Sequence, residues 1–193
     1  MANQAAIFID GGYLAKVLQH EFGSAPVDFL KLAIKMAGDD ELFRAYYYNC
    51  LPYQGTNPNA DERERYSRAR RFMDALDRLP RFEVRLGKLA ARGIDPVTRA
   101  PLFQQKRVDI MLGVDLVLLA AKGRIHRAAL FTGDSDFIPA VKAAKNEGVH
   151  VHLFHGNKAE VHDEIWTAAD DRTQVDAGFI QEVRFERRVP LNP

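Results

Sequence analysis

Three separate stretches of the chain place aspartates where an apolar run gives way to glycine or to a helix. Asp10 closes Ala5-Ala6-Ile7-Phe8-Ile9 and precedes Gly11-Gly12. Asp134 and Asp136 stand in Gly133-Asp134-Ser135-Asp136-Phe137, just after Ala128-Ala129-Leu130-Phe131. Asp109 and Asp115 fall in a long apolar segment. Two ionised carboxylates about 4 Å apart repel by roughly 4 kcal/mol at an effective dielectric of about 20. Three or four in one place therefore need a cation. An all-oxygen set without cysteine selects Mg²⁺ or Mn²⁺. The chemistry this suits is attack of metal-activated water on a phosphodiester.

Each acid also has a local explanation. Asp136, before Phe137-Ile138-Pro139, reads as a helix N-cap. Asp10 before two glycines can shape a turn. Asp109 near a helix start is favoured by the helix dipole. Asp115 shares a helical face with Met111, Leu112, Leu118 and Leu119, so it is either buried with a partner or faces a cleft. Their convergence favours a site: independent segments bring acids to the edge where a parallel sheet collects its functional groups.

The elements that must position them alternate. Continuous apolar runs bounded by glycine, at 5–9 and 127–132, read as buried parallel strands. Further strands are expected at 42–51, 82–86 and 149–154. Helices are expected from 13 to about 20 and at 27–37, 61–79, 107–122, 137–147 and 159–169, several of them stopping at glycine or before proline. Residues 90–105 hold Gly93, Pro96 and Pro101 and read as an irregular excursion or hairpin. With Asn57 and Asn59 they are candidates for the rim of a site. The last stretch, from about 171, reads as a short strand and a loose tail. Parallel strands need helical crossovers, so the expected architecture is a three-layer α/β sandwich with a mostly parallel central sheet.

Composition bounds the partners. The chain has 193 residues, with 27 Lys and Arg against 26 Asp and Glu, a net charge of +1. Nucleic-acid affinity must then come from a local patch. Residues 61–92 supply one: ten basic side chains, nine of them arginine, against six acids. Arg68 and Arg71 are its candidate phosphate contacts, and the competing reading is a solvated face with internal pairs such as Glu64–Arg68 and Asp74–Arg78. The single cysteine, Cys50, excludes an internal disulfide and suits a reducing compartment. The first residues lack a basic start and no apolar run reaches the roughly 20 residues of a membrane span. The expectation is a cytoplasmic protein with no membrane partner; a homo-oligomer is left open. His150, His152 and His155 are too poor in neighbouring acids for a zinc site, and His162 and Trp166 are expected to serve packing.

The motifs together resemble the NYN-domain proteins of the LabA-like branch, within the PIN-like nuclease group. The matching pieces are Ile7-Phe8-Ile9-Asp10-Gly11-Gly12, Lys106-Arg107-Val108-Asp109 with Asp115 six residues on, Thr132-Gly133-Asp134-Ser135-Asp136-Phe137, and Gly148-Val149-His150-Val151. The resemblance implies a PIN-like, Rossmann-like domain over residues 1–176, with 177–193 as a C-terminal tail. It implies a Mg²⁺- or Mn²⁺-dependent endoribonuclease acting on single-stranded or structured RNA. Asp10, Asp109, Asp134 and Asp136 would form its acidic metal site, and Asp115 and Ser135 would support it. Lys106 would hold a phosphate or balance the acids, or is simply a solvated lysine. The family commonly carries Asn three residues after the first Asp; this chain has Tyr13, which can stack on a base, donate its hydroxyl or pack. The alternative function is an RNA-binding or regulatory module of the same fold without turnover. A haloacid-dehalogenase phosphatase is disfavoured because Gly12 stands where its second aspartate belongs. No Gly-x-Gly-x-x-Gly follows the first strand, which argues against a dinucleotide site.

Overall fold

The computed structural model describes residues 3–94, 96, 101–159 and 161–186. Its elements, in chain order, are β1 (Gln4–Asp10), α1 (Gly11–Phe22), α2 (Phe29–Ala37), β2 (Glu41–Asn49), α3 (Ala60–Asp77), β3 (Phe82–Leu86), β4 (Lys88–Ile94), β5 (Pro101–Lys106), α4 (Val108–Ala121), β6 (Arg127–Phe131), a 3-10 turn (Ser135–Phe137), α5 (Ile138–Asn146), β7 (His150–His155), α6 (Asp163–Ala168), β8 (Asp171–Gln174) and α7 (Ala177–Glu182). Six strands form one parallel sheet in the order β3-β2-β1-β6-β7-β8. The expected three-layer α/β sandwich is what the structure shows.

The strands alternate between two apolar layers. Ile7, Ile9, Tyr47 and Phe131 meet α1, α2, α3 and α7 on one side; Phe8, Tyr46, Tyr48 and Leu130 meet α4, α5 and α6 on the other. Both faces of β1 are fully buried, which is why its sequence is apolar without alternation. The order places the topological switch between β1 and β6. From there the chain builds outward to β2 and β3, then returns to build β6, β7 and β8 the other way. A crevice opens at such a point beyond the carboxyl ends of the strands.

Several expectations shift. The excursion before α4 takes the hairpin form of its two expected readings, β4 antiparallel with β5. The helix expected at 159–169 begins only at Asp163, because Gly156 to Ala159 are tied elsewhere. The N–H groups of Asn157, Lys158 and Ala159 all point at the Glu21 carboxylate, at 2.8, 2.9 and 3.0 Å. Part of the expected tail is α7, whose Phe179 and Ile180, with Val183 just beyond, join the first apolar layer. Residues 187–193 of that tail lie outside the described residues. On α4 the buried stripe is Val108, Leu112, Leu116 and Ala120, whereas Leu118, expected inside, is 48% exposed. No helix among the described residues is long and apolar enough to cross a membrane.

Candidate functional site

Asp10 ends β1 and caps α1. Its Oδ1 accepts the N–H groups of Gly12 at 2.9 Å and Tyr13 at 3.1 Å, satisfying two of the donors that a helix start leaves open. Oδ2 has no protein donor among the described residues. Gly11 is demanded by space: a Cβ there would lie 2.4 Å from the Tyr47 ring.

Asp134 follows β6 and is held the same way. Its N–H donates to the buried Thr132 hydroxyl at 3.2 Å, and its Oδ1 accepts the Asp136 N–H at 2.9 Å. The cap of this turn is therefore Asp134, not Asp136 as expected from the sequence. Asp109 lies in the first turn of α4, where the dipole favours an anion. The residue that starts this helix, Arg107, has φ +76° and supplies no side-chain cap.

Asp10, Asp109 and Asp134 line one cleft of about 530 Å³ at the switch between β1 and β6, together with Gly12, Tyr13, Lys16, Phe103, Gln104, Gly133 and His162. Burial pushes the Asp10 carboxyl above its ordinary range; the two backbone hydrogen bonds oppose this, and the charges of Asp109 and Asp134 add to it. Asp109 is raised by burial first, then by Asp134 and Asp136. The charges acting on both are those of other aspartates. Among the described residues no three His, Cys, Asp or Glu side chains are gathered closely enough to hold a metal ion as they stand. The donor type still fits a hard cation: Mg²⁺ binds through one or two carboxylates and keeps several waters.

The remaining candidates divide. Asp136 is exposed and stands with Asp109 beside an apolar groove of about 770 Å³ between α4 and α5, lined by Ile110, Val114, Leu118 and Pro139. Asp115 is elsewhere: its Oδ2 accepts the Tyr48 hydroxyl at 2.9 Å and Arg85 Nε at 3.1 Å, so it ties α4 to β2 and β3. Tyr13 borders the cleft, but its hydroxyl turns away, donating to the Ala159 carbonyl and accepting from the Gly156 N–H. Burial, opposed by the Gly156 hydrogen bond, pushes this hydroxyl up to about 12. Lys106 is exposed at the end of β5 and Ser135 half-buried in the 3-10 turn; neither lines the cleft. Arg68 pairs with Glu64 at 2.5 Å, as the self-neutralised reading expects, and Asp74 pairs with Arg70 rather than Arg78. Arg71 is exposed on the same helix. Asn59 caps α3. His150 and His152 are engaged by Asp171 and Thr173 of β8.

Sequence reasoning missed Lys16 and His162 on the cleft wall. Lys16 had a signal, since Gly12, Tyr13 and Lys16 share one face of α1. His162 had none, because it arrives through the loop after β7, where its N–H bonds the Gly133 carbonyl at 3.0 Å. Trp166, expected to pack, is half exposed beneath the Arg172 guanidinium.

Comparison with known proteins agrees with this architecture. The family model of the NYN domain matches residues 4–176. A 50-residue stretch is 44% identical to the uncharacterized protein y4oD of Sinorhizobium fredii, covering 26% of this chain and 23% of that one. The chain thus spans about a quarter of the length of the curated relative it matches. The crystal structure of a protein of unknown function from Vibrio parahaemolyticus superposes with a TM-score of 0.58 at 17% identity, over 93% of this chain and 96% of the other.

Proposed function

The chain belongs to the NYN-domain family, a PIN-like nuclease group, and from that premise we propose that it is a Mg²⁺- or Mn²⁺-dependent endoribonuclease. One observation carries the reading: Asp10, Asp109 and Asp134, delivered by three separate elements, share a single cleft at the switch point of the sheet. The same three would hold the ion, with Asp136 next to Asp109. When bound, the ion lowers the pKa of a water and offsets the charge that develops on the phosphoryl oxygens. The protein's part is to hold the carboxylates fixed through the caps on Asp10 and Asp134 and to offer the Lys16 ammonium to a phosphate. No side-chain nucleophile is required. RNA, single-stranded or structured, is the proposed substrate, and the cytoplasm the proposed location.

A second reading, an RNA-binding or regulatory module without turnover, is favoured by Tyr13. Where the family commonly has an amide, this chain has a hydroxyl already engaged by Gly156 and Ala159. One experiment separates the two. Purified protein with Mn²⁺ and end-labelled RNA is expected to cleave the RNA and leave 5′-phosphate ends. Asp134→Asn keeps an oxygen for the cap, and it should cut at least about a hundredfold more slowly. Binding without metal-dependent cleavage refutes the nuclease and supports the module.

A further inference from the structure

Phe103 borders the aspartate cleft in company. Its ring centroid lies 4.8 Å from that of Tyr53, with the planes 32° apart. The two rings come from separate elements: Phe103 from β5 of the hairpin, and Tyr53 from the loop between β2 and α3. Both stay at the surface, 38% and 41% exposed. The Phe8–Tyr46 stack, by contrast, is buried in the core. Gln104, next along β5, lines the same cleft and accepts from Arg92. Lys16 stands on the α1 wall.

An exposed pair of aromatic rings beside an acidic cleft, with an amide and a cation at hand, has the chemistry of a single-strand binding surface. Every nucleobase has a π-face, so stacking on aromatic rings holds bases with little regard to sequence. Bases inside a duplex offer no such face, whereas unpaired bases splay out and stack. We propose that Tyr53 and Phe103 form a stacking platform for an unpaired base of a single-stranded nucleic acid, setting the adjoining phosphodiester over Asp10, Asp109 and Asp134. The proposal rests on the cleft being the phosphodiester site, and it narrows the substrate to strands with unpaired bases beside the cut.

The test is fluorescence anisotropy with a labelled single-stranded RNA oligonucleotide and Mg²⁺. The full chain carries Asp134→Asn so that the probe survives. Phe103→Leu and Tyr53→Leu keep an apolar side chain but remove the π-face; each is expected to weaken binding about tenfold. Phe103→Trp is expected to bind at least as tightly as the parent. One abasic position in the oligonucleotide should cost as much as Phe103→Leu, and combining the two should cost no more than either alone. A hairpin held merely in place by the rings would not show that coupling. The fully paired duplex should bind weakly and be indifferent to the substitutions. No binding by the parent, leucine variants that bind like the parent, or losses that simply add all overturn the platform. Cleavage by the chain with Asp134 restored, run in parallel with Mn²⁺, separates the two readings. If cleavage proceeds unchanged in Phe103→Leu, the platform falls and the nuclease stands. If binding depends on the rings but nothing is cut, the nuclease falls and the platform stands.

Discussion

Asp10 uses one oxygen to cap α1 and carries its charge into a cleft that Asp109 and Asp134 also line. The two roles separate by substitution. Asp10→Asn keeps an acceptor for Gly12 and Tyr13 while removing the charge, so the metal-free protein should melt higher than wild type. Asp10→Ala also loses the cap, worth about 1 kcal/mol, and should melt about 2–4 °C below the Asn variant. The pH dependence has a definite sign. Burial, then the neighbouring aspartates, raises Asp10 and Asp109 in the folded chain. Between the ordinary carboxylate range and these raised values, the folded state binds more protons than the unfolded one. The stability these groups allow is thus full below the ordinary range and is lost as pH rises through the raised values. Thermal melts across pH should show that loss for wild type, reduced in Asp10→Asn and offset by Mn²⁺; a loss on acidification through the same range would contradict it. Asp10, Asp109 and Asp134 were legible from sequence because each follows a local signal, a strand end or a helix start. For Asp115 the sequence left open a partner or a cleft, because the partners that decide it, Tyr48 and Arg85, come from strands distant in sequence. Nor was the orientation of Tyr13, which is decided by the loop after β7.

Among the elements, α4 is placed by its contacts at both ends of the glycine scale. Gly87, between β3 and β4, has no room: a Cβ would lie 2.6 Å from the Lys106 carbonyl and from Val108 Cγ2. Gly87→Ala should push the start of α4, and Asp109 with it. A loss of about 1–3 kcal/mol is expected, together with a weaker Mn²⁺-induced rise in Tm. Gly113, inside α4, is the contrast. A Cβ there meets Ala140 at 3.5 Å, ordinary contact. Gly113→Ala should therefore stabilise by about 1 kcal/mol through helix propensity. Differential scanning calorimetry of both variants checks the pair, and equal effects would mean that α4 is not pinned at its start. Elements with a continuous apolar signal, β1 and β6, were read within a residue or two. The late start of α6 was illegible, since it depends on Glu21 of α1 drawing in the N–H groups of residues 157–159. α7 was hidden because Phe179, Ile180 and Val183 sit among polar residues and gain their meaning only from the layer they join.

For the whole molecule, positive and negative charges nearly balance and some pair internally. Arg68, Arg70, Arg81, Arg85 and Arg127 each face a carboxylate of the same chain, and the net charge is +1. Of the ten basic side chains in the segment that suggested a phosphate-binding face, four, Arg68, Arg70, Arg81 and Arg85, are held by the protein's own acids. Binding to a single strand should accordingly engage about two or three phosphates and lose only about tenfold between roughly 50 and 200 mM salt. A loss nearer a thousandfold in an anisotropy titration would mean that the basic face of residues 61–92 lies along the strand. The seam between β1 and β6 has a consequence in time. Asp10 is synthesised more than a hundred residues before the strand that must lie beside it is complete at Phe131, and Asp134 comes only after that. Until those residues are made the growing chain carries no acidic crevice, so the crevice acts on nothing, the message being translated included, before that point.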